Sequence, residues 1–226
     1  MYYGRSRQLT DWERWTQSLS ALTADPEARR HFRAQRFLHA YQIGSLLRQW
    51  VATSGGDRPI IYAVTLADDL PVYIGQTPEP SRRLYDLPIG ESHHLANTFP
   101  PELWKRVIVL DWLSLVESKE GEAVLPDRDS TAIGTAIELH FQRLYRPEMN
   151  MMRKSPAGSW VLRDLVSSRS RAASLISSVT HLLPTVEQAF AELLGAKAGE
   201  SGIFPSSAGC TVFPHSIPAG PTPDVF

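Results

Sequence analysis

Apolar residues recur at helical spacing through the first fifty positions of the chain. Thr10 and Glu13 have the capping-box spacing that begins a helix, because each side chain can bond the other's backbone N–H. Pro26 follows the capping residue Asp25, which predicts a second helix start. Residues 10–52 are therefore predicted to form two helices.

Short runs of β-branched and aromatic residues follow. Segments 60–66 and 71–75 predict two strands joined by a tight turn at Asp68 and Asp69. The apolar segment 107–110 predicts a third, buried strand.

Helices are predicted between and after these strands. Pro78 and Pro80 precede a helix that carries Arg82 and Arg83. Residues 117–130 are predicted to form a polar surface loop. Another helix begins at Ser130 or Thr131 and presents an apolar stripe of Ile133, Ile137, Phe141 and Leu144. Residues 167–197 are predicted to be helical with a break at Pro184.

These elements indicate an α/β (α+β) fold in which a small mixed three-stranded sheet is flanked by helices, with helical additions at both ends. The expected organisation is an N-terminal helical extension over 1–57 and a central module over 58–155. A C-terminal helical segment over 156–198 and a flexible tail rich in Gly, Pro and Ser over 199–226 follow.

Composition narrows the classes of function. The 226 residues carry a net charge of −1, so binding to nucleic acid would need local basic patches. Cys210 is the only cysteine, which excludes an intrachain disulfide and a cysteine-based zinc site and favours a reducing, cytoplasmic location. The start of the chain does not resemble a signal peptide, and no apolar run approaches the ~20 residues of a membrane span, so no membrane partner is expected.

Five polar residues between 60 and 150 stand in an order typical of a nuclease. They are the strand tyrosines Tyr62 and Tyr73, then Arg83, Glu138 and Asn150. Arginine suits phosphate because its planar donors are permanently charged. One carboxylate can hold Mg²⁺, because that ion keeps several waters and accepts phosphate oxygens.

This set resembles the GIY-YIG nuclease family over about two-fifths of the chain. Val72-Tyr73-Ile74-Gly75 matches the second half-motif, and Tyr62 matches the tyrosine of the first, eleven positions earlier. Arg83 stands where the family's catalytic arginine is expected. Glu138 resembles its metal-binding glutamate, and Asn150 the asparagine that closes the module.

The resemblance implies a compact restriction-type or defence-type endonuclease. It would cleave DNA with one Mg²⁺ at Glu138 (Mn²⁺ being a possible substitute) and leave a 5′-phosphate. Tyr62 and Tyr73 would orient water and phosphate, and Asn150 would position its neighbours. The DNA-binding residues would be Gly75, Arg82, Arg153 and Lys154. Apart from the resemblance, Arg29, Arg33 and Arg36 on one helix face form one candidate basic track for DNA phosphates. A second candidate track comprises Arg153, Lys154, Arg163, Arg169 and Arg171.

Two departures from the family pattern leave the general base open. The first half-motif reads Ile-Ile-Tyr without its leading glycine, and Leu87 stands one helical turn after the arginine, where the family often has histidine or tyrosine. The candidates for the base are Tyr62, His93 and His94. An unperturbed phenol is only about 0.1% ionised at pH 7, whereas histidine titrates near ~6.5.

Two other functions remain open on the sequence. The same residues suit a nucleic-acid-binding module that has lost catalysis, and the tyrosines taken singly suit an ordinary strand surface in a protein-interaction domain. Cutting both strands of DNA would require a dimer or two sequential nicks, and the sequence does not choose between them.

Overall fold

The computed structural model describes residues 10–90, 94–120, 130–155, 158–165 and 170–217. Two compact units divide the chain between Leu38 and His39. The described part of the first unit holds helix α1 (Asp11–Ala24) and the beginning of α2 (Pro26–Thr53). The predicted capping box is confirmed, because Thr10 Oγ1 accepts from the Glu13 N–H at 3.2 Å while Thr10 N donates to Glu13 Oε2 at 2.8 Å.

The second unit contains the rest of α2 and all described strands. Its helices are α3 (Pro80–Ile89), α4 (Leu95–Thr98), α5 (Trp112–Glu120), α6 (Ser130–Tyr145), α7 (Glu148–Met151), α8 (Arg171–Val179) and α9 (Leu183–Leu194). Its strands are β1 (Ile60–Thr65), β2 (Pro71–Thr77), β3 (Arg106–Leu110), β4 (Met152–Lys154), β5 (Trp160–Leu162), β6 (Ile203–Ser206) and β7 (Gly209–Val212).

The α/β class with helical additions is confirmed, but the predicted sheet is wrong in size and direction. The main sheet has five strands in the order β2-β1-β3-β7-β6, and every pairing between them is antiparallel. A separate antiparallel hairpin joins β4 and β5, which the sequence analysis missed.

The expected flexible tail is also wrong for residues 203–212, which form β6 and β7. β3 is buried and needs hydrogen-bond partners on both of its edges. β7 supplies the second edge, from Val107 opposite Val212 to Leu110 opposite Gly209. A Cβ atom at Gly209 would collide with the carbonyl oxygen of Val109, so a glycine that looks like a loop residue is required by this close pairing.

Helices cover both faces of the sheet. On one face, Ile61, Ile74 and Ile108 pack against α5, α6 and α9. On the other face, Tyr62 and Val109 pack against α2, α3 and α4. Because β2 is the edge strand, its outer side lies open to groups from α6 and α7, and this edge positions the candidate site.

Other boundaries differ from the predicted ones. Ile43, Leu47 and Val51 of α2 belong to the core of the second unit, so the helical extension does not end at 57. α5 continues through 117–120, where a loop was expected; residues 121–129 lie outside the described part. Within the predicted apolar stripe of α6, Leu144 is 55% exposed, unlike the other three members.

The C-terminal helices follow the prediction more closely. The break falls at 180–182, and Pro184 occupies the first turn of α9, where a missing N–H has no cost. Gly195 ends that helix. Within the described ranges, no helix is both long enough and apolar enough to cross a membrane.

Candidate active site

Two buried phenols meet over a glycine on adjoining strands. Tyr62 of β1 lies opposite Gly75 of β2, and Tyr73 lies two residues before Gly75 on the same face. The two ring centroids are 5.8 Å apart. A Cβ atom at Gly75 would lie 2.7 Å from Tyr73 Oη and 2.8 Å from Tyr62 Oη. Position 75 therefore has room for glycine only while both hydroxyls keep their places.

An arginine from α3 completes this cluster. Arg83 Nε donates to Tyr62 Oη at 2.8 Å, and the two tyrosine hydroxyls also hydrogen-bond each other. Leu84 and Leu87 anchor the adjacent face of α3 in the core, which turns Arg83 toward β1. Arg82, by contrast, has an 80% exposed side chain and lies 3.8 Å from Asp86.

The carboxylate comes from α6, beside the edge of the sheet. Glu138 is half-buried, and its Oε1 accepts from Gln142 Nε2 at 2.7 Å. Burial raises the pKa of the Glu138 carboxyl to about 7, although the charges of Arg163 and Arg83 act in the opposite direction. The Glu138 charge in turn raises the pKa of both phenols, so these groups share one electrostatic environment.

Asn150 closes the free edge of β2. Its Oδ1 accepts from the Ile74 N–H at 2.8 Å, and its Nδ2 donates to the Ile74 carbonyl at 2.9 Å. Gln142 Nε2 donates to the same carbonyl at 3.2 Å. Ile74 stands between Tyr73 and Gly75, so the amide of Asn150 fixes the backbone that carries the site. Its described contacts make Asn150 a positioning residue.

The structure thus brings Tyr62, Tyr73, Gly75, Arg83, Glu138 and Asn150 together. His94 is exposed at the start of α4, and His93 lies outside the described residues. Tyr85, a tyrosine two positions before Leu87, faces α2, with its ring 6.1 Å from that of Tyr41. Leu87 is a core residue.

The two basic residues expected after the motif lie on β4. Arg153 pairs with Val161 and Lys154 with Trp160 in the small hairpin. The described part of Arg153 and Lys154 is their backbone, so their predicted contact with DNA stays a prediction.

Two residues of the site were missed by the sequence analysis. Gln142 stands four positions after Glu138, a spacing that places both on one helix face and that was available as a signal. Arg163 was assigned to a basic track, yet its charge acts on Glu138 and its Nη1 donates to the Asn150 carbonyl at 3.3 Å. No local pattern links Arg163 to Glu138, because Arg163 follows β5 of the β4–β5 hairpin and lies 25 positions later in the chain.

The phenols are poorly suited to proton abstraction. Tyr62 has no exposed surface and Tyr73 is 8% exposed. Burial raises the pKa of Tyr62 and of Tyr73 above the ordinary phenol value, so even less phenolate exists at neutral pH than in water. Among the candidate bases, this weighs against Tyr62.

The residues present fit Mg²⁺ better than a metal that needs a full protein cage. Among the described residues, no three His, Cys, Asp or Glu side chains gather as a metal site. Mg²⁺ commonly binds through one or two carboxylates and keeps its remaining waters, which a single half-buried glutamate beside Arg83 can accommodate. A carboxyl with a pKa of about 7 must lose its proton before it binds a cation.

No protein-family model, characterised protein or solved structure matches this chain. The likeness to the GIY-YIG family therefore depends on the residues named above and on their arrangement.

The raised pKa of Glu138 predicts a pH-dependent stability. The folded protein keeps this proton to about pH 7, whereas the unfolded chain releases it near the ordinary glutamate pKa of 4.5. The free energy of unfolding should therefore fall as pH rises through this interval and stay low above it. Glu138→Gln should raise the melting temperature relative to the parent at pH 8 and change it little at pH 5, as measured by circular dichroism.

The difference in melting temperature between variant and parent cancels the contributions of the other titrating groups, because both proteins share them. Glutamine can still accept from Gln142, so loss of that hydrogen bond does not confuse the comparison. A variant less stable than the parent at pH 8 would show that the carboxylate is stabilised by its charged neighbours, contrary to this prediction.

Proposed function

We propose that this protein is a metal-dependent endonuclease of the GIY-YIG type that hydrolyses phosphodiester bonds in DNA. One observation carries the proposal. Tyr62, Tyr73 and Arg83 come from three separate elements and meet at the edge of β2, where a Cβ at Gly75 would collide with both phenol hydroxyls. The charge of Glu138, on a fourth element, acts on both phenols. A cation-binding carboxylate beside a guanidinium is the pair of charges that a phosphodiester under attack requires.

The solvent exposure of each side chain indicates its role in the reaction. Arg83 and Glu138 are half-buried and reach the surface, whereas Tyr62 is fully enclosed. Arg83 is accordingly the catalytic residue that contacts the phosphoryl oxygens. Tyr62 is a positioning residue that holds the Arg83 guanidinium, and Tyr73 hydrogen-bonds both Tyr62 and Arg83. This differs from the initial expectation that both phenols orient water and phosphate directly.

Glu138 would hold the Mg²⁺ ion, with Gln142 fixing the direction of its carboxylate. The bound ion would supply Lewis-acid stabilisation of the phosphoryl oxygens. The chain itself supplies the second positive charge through Arg83, which the Tyr62 hydroxyl keeps in one orientation. Fixing that orientation in advance is what makes a single donor effective in the transition state.

Nicking of supercoiled plasmid DNA tests this function. The parent protein should convert supercoiled to open-circular plasmid in Mg²⁺, and EDTA should stop the reaction. Glu138→Ala should show no more nicking than the EDTA control. Equal, background-level nicking by the parent and Glu138→Ala in Mg²⁺ or Mn²⁺ would refute the proposed activity.

One observation favours a second function, a nucleic-acid-binding module without catalysis. The complete enclosure of Tyr62 leaves the first phenol unable to touch a substrate. In that case the parent would shift labelled DNA in a gel without cutting it under any metal condition. Absence of both binding and cutting would instead favour a protein-interaction domain.

A further inference from the structure

A second cationic feature lies beside the candidate active site, in a pocket of about 270 Å³ at the end of α6. Arg143 and Arg146 line it from α6 and the residue just beyond, and Arg163 lines it from the segment after β5. Leu162 and Met151 form an apolar side. We call this feature the arginine pocket. Its volume lies near the lower end of the roughly 300–1,000 Å³ usual for ligand sites.

The charge of the arginine pocket is positive whatever pairs form within it. Three arginines line it against one acidic residue, Asp164, which leaves an excess of two positive charges. Two of the guanidiniums are held by neutral backbone groups: Arg143 Nε donates to the Leu165 carbonyl at 2.7 Å, and Arg163 Nη1 to that of Asn150. Carbonyl contacts orient a guanidinium without cancelling its charge.

Arg146 has an unusual backbone conformation. It follows the last residue of α6 with φ of 50°, and its N–H donates to the Gln142 carbonyl at 2.9 Å. Helices commonly end in this left-handed conformation, but the residue there is usually glycine or asparagine. An arginine is strained at such a position, and strain of this kind is a reason to look for a function of the side chain. Arg146 is exposed, so packing does not explain it.

We propose that the arginine pocket binds a backbone phosphate of the nucleic-acid substrate, a few nucleotides from the bond that is cut. The proposal rests on the proposed nuclease function. Arg163 lies in both features, because its Nη1 donates to the carbonyl of Asn150, whose side chain accepts from the Ile74 N–H of β2. The last residue of α6 lies seven positions after Glu138, which corresponds to a rise of about 10 Å. Because each strand of a duplex carries one phosphate per ~3.4 Å of its axis, this distance corresponds to about three nucleotides. Leu162, 73% exposed, suits the apolar face of a sugar or base.

The closing experiment uses Arg146→Gly in the full chain. Glycine is favoured at a positive φ, so this variant removes the guanidinium and should melt no lower than the parent. Binding of a fluorescein-labelled DNA oligonucleotide is measured by anisotropy in EDTA at several KCl concentrations. We expect Arg146→Gly to raise Kd about tenfold and to lower the slope of log K against log salt by about one.

Lys197→Ala is the matched control, since it removes one exposed positive charge from the loop after α9. It should change Kd less than about twofold. Arg146→Asn serves as a second variant, because asparagine also tolerates positive φ. Parental affinity and salt slope in a folded Arg146→Gly or Arg146→Asn would overturn the proposal.

Two further comparisons show which proposal fails, the arginine pocket or the nuclease activity. Inorganic phosphate is also titrated into the DNA-free protein and followed by calorimetry; phosphate binding that Arg146→Gly abolishes, with unchanged oligonucleotide affinity in that variant, would mean a site for free phosphate, and the strand proposal would be wrong. If the parent never cuts but Arg146→Gly binds DNA more weakly, the proposed nuclease activity is refuted and phosphate binding by the arginine pocket is supported. If the parent cuts and Arg146→Gly binds DNA as tightly as the parent, the proposed role of the arginine pocket is refuted and the nuclease activity is supported.

Discussion

Replacing Arg83 by alanine should lower the rate of Mg²⁺-dependent plasmid nicking by about 10²–10³-fold, the usual cost of one preorganised donor at a developing negative charge. The effect is large because Arg83 is held in place before any substrate arrives, through its 2.8 Å hydrogen bond to Tyr62. Single-turnover nicking rates measure it, with circular dichroism to verify that the variant is folded.

Two comparisons sharpen this prediction. Arg82→Ala removes the neighbouring guanidinium, which faces solvent and lies 3.8 Å from Asp86, so its effect on the rate should be much smaller. Arg83→Lys keeps the charge but loses the planar donor that meets the Tyr62 hydroxyl, and it should recover only part of the rate. An Arg83→Ala protein that nicks at the parental rate contradicts the catalytic assignment of this residue.

Gly75→Ala should lose both stability and activity. The new Cβ atom would lie 2.7 Å from Tyr73 Oη and 2.8 Å from Tyr62 Oη, and both rings are enclosed by the core. Overpacking of this kind typically costs about 1–3 kcal/mol, which corresponds to a fall of roughly 2–10 °C in the melting temperature. Nicking should fall as well, because any movement of Tyr62 withdraws the support of Arg83.

Gly199→Ala is the matched control, since a Cβ there meets open space. It should melt within about 1–2 °C of the parent, as most surface substitutions do. Differential scanning calorimetry of both variants measures the difference. If Gly75→Ala melts with the parent and nicks normally, the two phenols do not define the site in the way described.

Local patterns in the sequence were sufficient for the parts of the fold that depend on near neighbours. The capping box at Thr10, the α6 helix and strands β1 to β3 each extend over a few turns or a few residues, and they were predicted within a few positions. β6 and β7 were missed because their Gly and Pro content is typical of a loop. Their strand structure depends on β3, about a hundred positions earlier.

For the candidate site, too, the sequence predicted which residues take part, whereas the fold decides their roles. Tyr62, Tyr73, Arg83 and Glu138 were predicted from their order in the sequence. The fold gathers the two phenols and Arg83 beside Gly75, and the charge of Glu138 acts on both phenols. The roles of these residues depend on solvent exposure, which no spacing reveals. Tyr62 is enclosed while Arg83 reaches the surface, and this difference makes the first a positioning residue in the proposed mechanism.

The sequence by itself determined which side chains are available for chemistry and the local elements that carry most of them, because helical and strand periodicity are properties of adjacent residues. The tertiary structure alone decided that β7 completes the sheet, that Asn150 pairs with Ile74, and that Arg163 donates to the Asn150 carbonyl. Those contacts join distant segments of the chain. Their existence depends on the burial and hydrogen bonding of the whole fold, since a buried strand edge or carboxylate must find partners wherever the chain provides them.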